Sequence, residues 1–138
     1  MDKSKGSYLI PCDHALISKD GKPSMIGVFT NISLGVSNSP VTQKFFIVGV
    51  VHLRNPDGLK DKLLSFLLVK PDGQETVRIE STLTDDSTEQ SINVFLHYER
   101  LVLEELGGYR LKVMLGTEPN IEELYNRQIF EVKERNEP

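Results

Sequence analysis

From Thr76 to Leu83 apolar and polar residues alternate, with Val77, Ile79, Ser81 and Leu83 on one side and Thr76, Arg78, Glu80 and Thr82 on the other. Successive side chains of a strand point to opposite faces, so the run predicts a strand with one dry and one wet face. Ile92, Val94, Leu96 and Tyr98 repeat the pattern against Asn93, Phe95 and His97. Tyr109, Leu111, Val113 and Leu115 repeat it against Arg110, Lys112 and Met114. A last strand is expected around Gln128 to Lys133. The Gly107-Gly108-Tyr109 entry has the look of a sandwich corner, in which a tyrosine hydroxyl bonds back to the backbone.

The first half is patterned differently. Met25 to Leu34, Phe45 to Leu53 and Leu63 to Val69 carry apolar residues on both faces, which requires cover on both sides. One face set holds Ile26, Val28 and Ile32 with Phe46, Val48 and Val50; the other holds Phe29, Phe45, Ile47, Val51 and Leu53. Either a local loop covers the surplus apolar face, or a partner does. Two segments are candidates for short helices: Glu99 to Leu106, and Ile121 to Tyr125 with Asn120 as N-cap and Glu123 reaching back.

Between these runs lie short clusters of Gly, Pro, Asn and Asp, at Lys19 to Lys22, Ser37 to Pro40, Asn55 to Gly58, Lys70 to Gly73 and Thr84 to Ser87. In both Pro-Asp-Gly sequences proline presets the first corner, aspartate bonds its own backbone and glycine accepts positive φ. Strands punctuated at this spacing predict an all-β fold: an antiparallel two-sheet β-sandwich, immunoglobulin-like or C2-like, of about seven or eight strands with at most one or two short helices. The 138 residues are expected to form a single domain, 1–138, large enough for a core of its own.

Composition narrows the function classes. A net charge of −4 opposes a sequence-independent nucleic-acid binder, which needs a basic face. No apolar run approaches the length that spans a bilayer, and Tyr8 to Pro11 is too short for a signal peptide. A single cysteine, Cys12, forms no internal disulfide, and a cytoplasmic location is expected. Charge is uneven: residues 1–74 sum to +3, residues 75–106 to −6 and the remainder to −1. Such an acidic flank is ordinarily a solvated surface, and it would attract a basic partner if functional.

Cys12-Asp13-His14-Ala15 followed by Gly21-Lys22-Pro23-Ser24-Met25-Ile26-Gly27-Val28-Phe29 resembles the opening of a family of small, functionally uncharacterised bacterial proteins. In that family a Cys-Asp-x-Ala-like strand precedes a Gly-Lys-x-Ser-x-Ile-Gly-x-Phe-like strand. Gly108 to Val113 is similar to its penultimate strand. The resemblance spans nearly the whole chain and implies a compact bacterial β-sandwich, with no activity and no catalytic residues attached. Thr117 to Tyr125 is more elaborate than the short turn expected at that place.

Candidate chemistry is sparse. Cys12 and His14 share a strand face, but a closed zinc site needs four ligands and the other histidines are only His52 and His97. Same-face strand neighbours lie roughly 6–7 Å apart, too far for a Cys-His nucleophile pair. Asp57, Asp72, Asp85 and Asp86 invite comparison with calcium loops, yet turn chemistry explains the first two and no Asp-x-Asp-x-Asp-Gly run occurs. Glu104-Glu105 and Glu122-Glu123 read as solvated pairs. Lone Gly27 and Gly49 read as a bulge or close packing, and no phosphate-binding glycine motif is present. We therefore expect no enzyme, cofactor or metal, and no nucleic-acid or membrane partner. The expectation is a binding or assembly module using an apolar sheet face, with Ile26, Val28, Phe46, Val48 and Val50 as anchors against a second copy or another protein. The alternative is a small-ligand-binding or sensing sandwich, hinted at by His52 in its apolar strand.

Overall fold

The computed structural model describes residues 6–20, 23–34, 41–103 and 105–134. Gly21 and Lys22 of the resembling motif, the Ser37 to Pro40 cluster and Glu104 lie outside them. Nine strands occur among the described residues, where seven or eight were expected, and no helix: β1 (Tyr8–Ile17), β2 (Pro23–Val28), β3 (Asn31–Leu34), β4 (Val41–Arg54), β5 (Leu63–Val69), β6 (Glu75–Thr82), β7 (Glu89–Leu103), β8 (Gly107–Leu115) and β9 (Glu122–Glu134). They form a four-stranded sheet ordered β2-β1-β4-β7 and a five-stranded sheet ordered β3-β9-β8-β5-β6. All neighbours are antiparallel except β3 and β9. The all-β sandwich is as the alternation predicts.

The sheets are tied at one edge by the turn between β2 and β3. Phe29 N donates to Pro11 O of the first sheet at 3.3 Å, and Glu131 N of the second donates to Thr30 O at 2.9 Å. The Phe29 ring meets Phe45 and Phe130, with centroids 5.8 and 5.9 Å away. Between the sheets Phe45 stacks on Tyr98 at 4.9 Å, and Tyr109 on Phe130 at 5.1 Å. From β4 this core takes Phe45, Ile47, Val51 and Leu53, all fully buried, which is the face set expected to point inward.

Both Pro-Asp-Gly turns close with a glycine amide bonded to the carbonyl three residues earlier, Gly58 to Asn55 at 3.0 Å and Gly73 to Lys70 at 2.9 Å. Both glycines have positive φ, 95° and 91°. The second turn joins β5 and β6 as a hairpin; the first carries the chain from one sheet across to the other. Asp72 Oδ1 accepts from Gln74 N and Asp85 Oδ1 from Ser87 N, so these carboxylates are engaged by their own turns.

Both helix candidates are corrected. Glu99–Leu103 continues β7, and Tyr125 lies in β9, which begins at Glu122. Bulges are the cause. The register slips between Gln43 and Phe45, placing Glu99 and Arg100 together opposite Lys44, so Tyr98 and Leu101 both reach the core three residues apart. It slips again between Val113 and Met114 and between Tyr109 and Arg110, inserting Leu124 and Ile129 into β9. A bulge adds one residue to a strand and thereby imitates helical spacing. Thr117 to Asn120 is a turn, closed by Asn120 N to Thr117 O at 2.8 Å.

Gly49 permits a close strand approach. A Cβ there would stand 1.8 Å from Tyr8 O, so β1 and β4 pair at this point only because no side chain intervenes.

Candidate functional site

Strand β5 is buried on both faces, and its outward side is covered from within the chain. Ser65 is 4% exposed and donates to Glu80 Oε2 at 3.2 Å. Leu67 lies between Arg78 and Lys112 in register, and Ser65 between Glu80 and Met114. Long side chains lay their apolar stems over such a surface while their charged heads stay wet. Above it runs a groove of about 310 Å³ lined by Leu63, Ser65, Leu67, Arg78, Met114 and Ile121, among others. Arg78 is already engaged, at 2.7 Å from Glu75 and 3.6 Å from Glu80.

The outward face of the four-stranded sheet has less cover. Cross-strand register builds it in rows: Val28, Cys12, Phe46 and His97; then Ile10, Val48 and Phe95; then Tyr8, Val50 and Asn93. Residues directly opposite share a face, and Phe46, Val48 and Val50 alternate with the core residues Phe45, Ile47 and Val51. Ile26 and Val28 are exposed, at 59% and 57%, while Phe46 and Val50 are half-buried. Val48 is 2% exposed and clusters with Cys12 and Ala15, flanked by Met25 and Phe46. A partner would touch the neighbours of Val48 rather than Val48 itself.

Phe46 stacks under His97, centroids 4.4 Å apart, and tilts against Phe95 at 5.4 Å. Tyr8, Phe95 and Val102 also expose apolar surface on this sheet. Reading Asn93, Phe95 and His97 as a plain wet face missed the β7 contribution; an aromatic between two polar residues was the available signal. At one end His52 is exposed, its Nδ1 hydrogen-bonded to Ser91 Oγ and its backbone N donating to Ser7 Oγ at 3.0 Å. This corrects the ligand hint: His52 belongs to a polar rim and not to an apolar pocket.

Burial, helped by the neighbouring Asp13 charge, pushes the Cys12 thiol up, which keeps it protonated and unreactive. His14, its strand neighbour, is exposed. Among the described residues no group of three His, Cys, Asp or Glu side chains is placed to hold a metal ion, and no helix is long and apolar enough to cross a membrane. The result is an apolar, partly aromatic centre bordered by polar side chains.

The chain belongs to a family of unknown function (DUF6941), whose model matches residues 7–122. The matched span contains β1 to β8, and with them the whole four-stranded sheet. No curated protein matches the chain.

Proposed function

We propose that this domain is a non-catalytic binding and assembly module of a bacterial cytoplasm, and that its contact surface is the outward face of the four-stranded sheet, packed against a second copy or another protein. One observation carries the reading. Of eight exposed large apolar side chains among the described residues, four stand on this face, Tyr8, Val28, Phe95 and Val102, and two more, Leu16 and Ile26, lie elsewhere on the same sheet. Scattered apolar residues are ordinary on a protein surface, whereas their concentration on one sheet with a polar rim marks an interaction site. The cytoplasmic setting is supported by the single thiol.

The test is the double substitution Ile26→Lys/Val28→Lys, two changes at exposed positions that leave the core untouched. Native mass spectrometry of wild type and variant over a concentration series should show the variant at half the wild-type assembly mass, with unchanged thermal stability. Equal masses would remove the face as a self-contact.

The groove over β5 favours a second reading, small-ligand binding. Its volume of about 310 Å³ is at the low end for such sites, and it combines an apolar floor with Ser65 and Arg78. A thermal shift with a metabolite that disappears in Leu67→Lys would support it.

A further inference from the structure

All three histidines lie on the four-stranded sheet, and each stands differently to its outward face. His14 pairs with Ile26 in register, off the cluster that Cys12, Ala15, Met25 and Val48 form there. His52 belongs to the polar rim, opposite Ser91. His97 stands within the face: it closes the row of Val28, Cys12 and Phe46, and Phe95 precedes it by two residues on the same strand. Its ring lies nearly parallel to that of Phe46, 9° between planes and 4.4 Å between centroids. A surface that covers the aromatic centre therefore covers this imidazole as well.

The groups around His97 decide what a proton there does. On β4 it faces Phe46, and the next residue of that strand on the same face is Lys44; the bulge in β7 places Glu99 and Arg100 opposite Lys44. All three charged side chains are exposed. On β1, Asp13 beside Cys12 is separated from His97 by the whole of β4, and β2 carries no charged residue. Among the described residues no carboxylate forms an ion pair with His97. The adjoining row thus holds two cations and one carboxylate, no surplus of negative charge for an imidazolium. Resting on the face contact in its two-copy form, we propose that protonation of His97 releases that contact, so that two copies hold together at neutral pH and separate in mild acid. Histidine is the side chain whose charge changes in this range. In the single chain the charged ring keeps water on its open side and a favourable seat over Phe46. Beneath a second copy it loses that water, and a buried charge without a counter-ion is costly. The contact accordingly holds the neutral imidazole, separation takes up protons, and the dissociation constant rises as pH falls.

The test is sedimentation velocity over a concentration series at about pH 7.5 and about pH 5.5, on either side of the range in which histidine gains its proton. The wild-type dissociation constant should rise about tenfold or more in acid, with an unchanged far-ultraviolet spectrum. His97→Gln and His97→Phe, the second keeping an aromatic ring beside Phe46, have no proton to gain and should assemble alike at both pH values. His14→Gln should respond to acid as wild type does. A wild-type dimer equally tight at both, or an acid response undiminished in the two His97 variants, would overturn the proposal and leave the face contact standing. A wild type of 15.6 kDa at both would overturn it together with the two-copy contact.

Discussion

Phe45 and Phe46 are adjacent in sequence, identical in chemistry and opposite in facing, so truncating each to alanine measures the two sides of β4 directly. Phe45 is fully buried and meets three other rings, stacked on Tyr98 at 4.9 Å and edge-on to Phe130 at 5.4 Å and Phe29 at 5.8 Å. Burying and then deleting such a ring costs about 3–5 kcal/mol, and the ring contacts place Phe45→Ala at the upper end. Phe46 is half-buried and meets Phe95 and His97. Half the desolvated area and a site open to solvent, which leaves little cavity, put Phe46→Ala at about 2 kcal/mol. A domain of this size has about 5–15 kcal/mol in total, so both variants are best compared by urea midpoints at low temperature and low protein concentration. The expected result is a loss for Phe45→Ala at least twice that for Phe46→Ala, with equal m-values. Comparable losses, or a larger one at Phe46, would refute the assignment of the two faces.

Three further outcomes follow from single residues. Gly49→Ala drives a Cβ to within 1.8 Å of Tyr8 O and should cost about 3 kcal/mol or more, whereas Gly58→Ala, with open space around it and φ 95°, should cost about 1 kcal/mol; thermal melts of the two separate steric collision from backbone strain. Burial pushes the Tyr98 and Tyr125 hydroxyls up, so in an alkaline absorbance titration of the folded protein these two tyrosines should ionise later than in an unfolded control. Because the folded state holds these protons longer, their stabilisation is complete below a pH of about 10 and is lost as pH rises above it, and Tyr98→Phe should flatten that decline. Cys12 should react with a thiol reagent slowly when native and rapidly in urea; equal rates would show that it is not buried.

The alternation of Ile92 to Tyr98 and of Tyr109 to Leu115 was enough to place β7 and β8, because a period of two has one structural meaning when one face is buried. The division of β4 into one set from Phe45 and another from Phe46 was legible from the same period, but with apolar residues on both faces the alternation alone did not say which set turns inward. Tyr98, Leu101 and Val102, like Ile121, Leu124 and Tyr125, lie three and four apart, the spacing of a helix face, and only partner-strand register shows that bulges produce it. Bulges are decided by pairing between distant segments and leave no local signature. The same limit applies to the candidate site. Ile26, Val28, Phe46 and Val50 could be named from their own strands, but the burial of Val48 depends on Cys12, Ala15 and Met25 lying beside it. Likewise, the cover over β5 comes from Arg78, Lys112 and Met114 on two other strands, which turned one of the three two-faced apolar runs into ordinary packing.

The central claim, in the form that the outward face of the four-stranded sheet joins two copies of this chain, is tested most directly by the assembly mass of wild type and Ile26→Lys/Val28→Lys under identical conditions. The face contact predicts that the variant halves the mass, to a 15.6 kDa chain, while melting at the same temperature. An unchanged mass in a folded variant would contradict it.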